Sequence, residues 1–77
     1  MKERSIKRKL LRTRIALGQT VDRILDINRR RKHLVLLSNR EEREEKLNEE
    51  LRVLNQIANQ QAQMVRKYET DLSLQRI

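Results

Sequence analysis

Cysteine, proline, tryptophan and phenylalanine are absent from this 77-residue chain, and glycine, tyrosine and histidine occur once each, as Gly18, Tyr68 and His33. Each absence removes a class of function. Without cysteine there is no disulfide and no thiolate metal site. With His33 alone, a zinc centre lacks its usual partners. One glycine cannot build a phosphate-cradling P-loop or a dinucleotide-binding fingerprint. Ser5, Ser38 and Ser73 have no histidine at a spacing that reads as a nucleophile and its base. The acidic residues form helical surface runs with no calcium-loop pattern. No enzyme activity, cofactor, metal or small-molecule substrate is expected. Tyr68 reads as a packing residue, and His33 as a surface or seam residue.

Long apolar runs are missing as well. Nothing approaches the roughly 18 to 20 apolar residues that span a bilayer. The basic N-terminus lacks the apolar core of a secretory signal. The expected location is intracellular and cytoplasmic, with the nucleus or the cytoskeleton as alternatives. Apolar residues make up 36% of the chain and charged residues 39%. A chain this short hides only about 60% of its unfolded surface even when well packed. With disulfides and metals gone, oligomerisation is the remaining remedy for a thin core.

What is present is helix-forming almost throughout: Leu, Arg, Glu, Lys and Gln dominate. In the second half, Leu47, Leu51, Leu54, Ala58, Gln61, Val65, Tyr68 and Leu72 step by four and three residues. That is a heptad seam held for about four heptads. Ile57 and Met64 widen it, and Gln61 is its one polar member, a type of residue that can fix register. In the first half, Leu10, Leu17 and Ile24 recur every seven residues. The second seam position there comes from Val21 and Val35 or from Ile6, Ile27 and Leu34, and we adopt Val21. Gly18 either costs about 1 kcal/mol relative to alanine or admits a close helix neighbour.

The stretch LLSNREEREEKL, Leu36 to Leu47, decides the architecture. Ser38 and Glu41 have the spacing of a capping box, and Glu41 and Glu42 suit a helix first turn. Four consecutive apolar residues, Leu34 to Leu37, cannot share one helix face and suit the closed end of a hairpin. Folding there sets Ile24 against Leu51, Val21 against Leu54, Leu17 against Ala58 and Leu10 against Val65, each pair totalling 75. The expectation is one all-α coiled-coil domain over residues 1–77, an antiparallel two-helix hairpin with helices at about 3–36 and 39–74. Its tip lies near Leu37–Ser38. The alternative is one continuous helix of ~115 Å paired with partner helices.

Charge is uneven. Residues 1–37 carry twelve Lys/Arg against three acids, a net of +9, and residues 38–77 carry seven against eight, a net of −1. Antiparallel packing brings Arg29 to Lys32 near Glu41 to Glu45, whereas a parallel homodimer would set each basic cluster against its own copy. The function expected is non-enzymatic: assembly, scaffolding or adaptor work through helix–helix contacts. The seam would be Leu10, Leu17, Val21, Ile24, Leu47, Leu51, Leu54, Ala58, Val65, Tyr68 and Leu72, and the partner a second copy or another coiled-coil protein. A segment of a longer filament-forming protein is one form this could take. The alternative is a polyanion-binding module using Lys2, Arg4, Lys7, Arg8, Lys9, Arg12 and Arg14 on nucleic acid or an acidic polymer surface. Nucleic acid is the weaker partner, because no aromatic is available to stack on bases and seam leucines thread the basic block.

Overall fold

The computed structural model describes residues 2–33 and 40–75. They form two helices, α1 (Lys2–His33) and α2 (Arg40–Gln75), packed antiparallel along their length. Among the described residues there is no strand. The molecule measures 59 × 14 × 13 Å. At 1.5 Å per residue the 36 residues of α2 account for about 54 Å of that length. The protein is therefore an all-α hairpin, and the ~115 Å continuous helix is set aside. Ser38, the proposed cap, and the tip at Leu37–Ser38 lie outside the described residues.

Helix composition explains both elements. Neither contains proline, and α2 opens with Glu41 and Glu42 where the helix dipole favours anions. In α1 the cations Arg30, Arg31 and Lys32 crowd the last turn together with His33, beside the partial negative charge of the helix end. Ion pairs at i,i+4 lie along the outside of α1, Lys7 to Glu3 at 3.4 Å and Arg30 to Asp26 at 3.1 Å.

The buried stripe runs straight. In α1 the less exposed positions include Ile6, Leu10, Thr13, Leu17, Thr20, Ile24, Ile27 and Arg31, alternating four and three, with Glu3, Ala16 and Asn28 also half-buried. In α2 they run from Glu44 and Leu47 through Leu51, Leu54, Ala58, Gln61, Val65 and Tyr68 to Leu72. Both helices thus hold a heptad frame from end to end. Among the described residues only Leu10, Ile27, Leu51 and Thr20 are buried outright, and no side chain is completely enclosed.

This corrects two expectations. Val21 is 41% exposed, and Thr20 takes the seam position beside it. The register also departs from a uniform total of 75: the cross-helix pairs Arg31–Glu44, Thr20–Gln61 and Arg14–Glu69 total 75, 81 and 83. Threonine explains the change of frame. Thr13 Oγ1 donates to the Lys9 carbonyl at 2.8 Å, and Thr20 Oγ1 lies 3.0 Å from the Ala16 carbonyl. A threonine that spends its hydroxyl on its own helix buries like a small apolar residue. The competing frame through Val21 would have turned Arg14 inward, whereas here it stays exposed and reaches Glu69.

Candidate helix-docking surfaces

Among the described residues the hollows of the hairpin are open grooves, and no cluster of metal-ligating side chains occurs. Its features are surfaces: the seam, two exposed apolar patches and the basic end of α1.

Of the expected seam, Leu10 and Leu51 are buried between the helices. Leu17, Ile24, Leu47, Leu54, Ala58, Val65, Tyr68 and Leu72 are half-buried on the same side. Val21 alone sits outside the stripe. At the centre is a polar contact between Gln61, the polar member of the expected seam, and Thr20, which lies outside that expected seam. Thr20 Oγ1 lies 2.8 Å from the Gln61 side-chain oxygen. One hydroxyl proton cannot serve both Gln61 and the Ala16 carbonyl. Turning the Gln61 amide to present its NH2 lets Thr20 donate to Ala16 and accept from Gln61. The signal that could have found Thr20 is the seven-residue spacing of Ile6, Thr13, Thr20 and Ile27.

Because the seam is largely consumed inside the hairpin, the apolar groups open to a partner are different residues. Leu11, Ile15, Val21 and Leu25 stand on the outside of α1, and Val53, Ile57 and Met64 on α2. The α2 group borders an open groove with Arg23, Glu49, Glu50 and Leu54. Farther along, Met64, Gln60 and Gln61 face Arg12, Thr13 and Ala16. The α1 group lies on the other side of the seam.

The basic residues separate into two kinds. Lys2, Arg4, Arg8, Lys9 and Arg12 are exposed, Lys7 pairs with Glu3, and Arg14 reaches across to Glu69 at 2.9 Å. Near the helix ends Arg31 approaches Glu44 at 3.8 Å, with Asn28 and Lys32 beside them. Both cross-helix ion pairs are substantially solvent-exposed, so each adds at most about 1 kcal/mol. They orient the helices more than they hold them. Gly18 is exposed, has an ordinary helical φ, and a Cβ placed on it would meet nothing within 4 Å. Within the hairpin it does not admit a close neighbour. No described helix is long and apolar enough to cross a membrane. Compared with family models, curated proteins and solved structures, the chain matches none.

Proposed function

We propose that this chain is a non-enzymatic cytoplasmic assembly protein that works by docking helix faces. The observation that carries the reading is a mismatch between interior and exterior. Among the described residues the core holds three buried apolar side chains, Leu10, Ile27 and Leu51, while eight large apolar side chains remain more than a third exposed. Scattered exposed leucines are ordinary, but here they recur at helical spacing on defined sides of α1 and α2. A two-helix unit buries too little to be comfortable alone, and further helices laid on those faces supply what it lacks.

A second reading rests on the exposed cations Lys2, Arg4, Arg8, Lys9 and Arg12, which suit an acidic polymer. One experiment separates the two. Light scattering across a concentration series reports assembly, and titration with duplex DNA or heparin reports polyanion binding. Under the assembly reading, Leu25→Glu with Ile57→Glu lowers the assembled mass, and reversing Lys7, Arg8 and Lys9 to glutamate does not. A chain monomeric at every concentration, with tight salt-sensitive DNA binding lost on charge reversal, would overturn it.

A further inference from the structure

The outer face of α1 is symmetric about Gly18. Leu11, Ile15, Val21 and Leu25 lie seven and three residues before it and three and seven after it. At ~100° per residue all four fall within about 60° of the direction in which Gly18 points. They are 59%, 54%, 41% and 50% exposed, and the space off Gly18 is open. Arg14 and Asp22 share the face, four residues to either side of Gly18 and opposite in charge. The α2 group of Val53, Ile57 and Met64 has no such symmetry.

A face with this arrangement complements itself when turned end for end. We propose that α1 is the interface of a two-fold homodimer whose axis passes beside Gly18. The proposal rests on the helix-docking function above and names the partner, a second copy of this chain. Across the axis Leu11 meets Leu25 of the second copy, and Ile15 meets its Val21. The two glycines face one another, where the missing Cβ lets the backbones close in. Arg14 of each copy faces Asp22 of the other, giving two ion pairs. Arg14 can keep Glu69 as well, since a guanidinium carries five donors.

Area and position agree. The chain exposes 6612 Å², whereas a compact chain of 9.4 kDa exposes about 5,000 Å². The excess of about 1,600 Å² per chain is about twice the ~800 Å² that each partner buries in a standard protein–protein interface, so such an interface fits within it. Gly18 lies midway along α1 (Lys2–His33), so the copies overlap along nearly their full length and the contact closes on itself. Each chain carries a net +8, and Lys7 faces Arg29 of the second copy at either end of the contact. Salt therefore strengthens the dimer by screening repulsion.

The absence of cysteine makes the test clean. In Gly18→Cys the sole thiol sits on the axis, and mild oxidation should link most of the protein as a disulfide dimer. Gln60→Cys, on the groove side with Arg12 and Ala16, should remain unlinked under the same treatment. Asp22→Arg turns two attractions into repulsions and should weaken dimerisation about tenfold. The double change Arg14→Asp with Asp22→Arg should restore it. Dimeric mass with linkage at Gln60→Cys and none at Gly18→Cys would overturn this interface and leave the helix-docking function standing. A monomeric mass in high salt at about 200 µM, far above a micromolar Kd, would overturn the homodimer itself.

Discussion

Replacing Gly18 with alanine should raise the melting temperature of the dilute protein. The sign comes from the structure. Glycine in a helix interior costs about 1 kcal/mol relative to alanine, because more backbone freedom is lost on folding. That gain is forfeited wherever the added Cβ collides or the backbone needs a positive φ. Neither applies here: the φ is helical and nothing lies within 4 Å of an added Cβ. For 77 residues the unfolding entropy is about 0.16 kcal/mol per kelvin, so about 1 kcal/mol corresponds to a rise of ~6 °C. The assay is a thermal melt followed by far-ultraviolet circular dichroism at about 1 µM, below the micromolar range of a weak dimer. A lowered melting temperature there would refute the reasoning, since it would mean that position 18 packs against something within a single hairpin. In concentrated solution the same substitution should lose part of its benefit, because the new methyl groups stand between the two copies.

Further outcomes test the seam and the shape. Leu51→Ala should cost about 2–3 kcal/mol in urea unfolding, because Leu51 is one of the few buried side chains, while Val53→Ala should cost less than ~0.5. Replacing the polar pair together, Thr20→Val with Gln61→Leu, should leave stability equal or higher, since both partners of a modest hydrogen bond go at once. Thr20→Val alone should cost about 1 kcal/mol by the same measurement. Glu69→Gln should cost less than about 0.5 kcal/mol and nothing measurable in 0.5 M salt, given the exposure of the Arg14 pair. Small-angle scattering should give a longest dimension near the 59 Å of the hairpin at both monomeric and dimeric mass, because the copies overlap. A length approaching ~115 Å would mean open helices.

The stripe in α2 was fully legible. Leu47 through Leu72 alternate four and three with a single polar interruption, and helical geometry turns that spacing into one face without help from the rest of the molecule. The stripe in α1 was not. Val21 looked the better seam residue on hydrophobicity, but the choice between it and Thr20 belongs to the whole frame. Selecting Val21 commits Arg14 to the interior, and selecting Thr20 commits Thr13 and Ile27. That comparison was available in the sequence. It was obscured because threonine counts as polar until its hydroxyl is seen bonded to the carbonyl four residues back.

The docking surface was hidden for another reason. Heptad spacing tells which residues a helix would bury, and it carries no information on whether the partner is α2 or another molecule. Once α2 occupies the seam, Leu11, Ile15 and Leu25 become the apolar groups left outside.

By itself the sequence determined that this chain is helical, that it carries no disulfide or thiolate-ligated metal, and that charge favours antiparallel pairing of its two amphipathic segments, within one molecule or between two. Those follow from local propensities, missing side chains and the placement of charge. Only the tertiary structure decided that the two segments pair within one chain, and with that the register, the exposure of Val21 and the open space at Gly18. Each depends on where one helix sits against the other, a quantity that a repeating stripe leaves free to slide by whole steps of three or four residues.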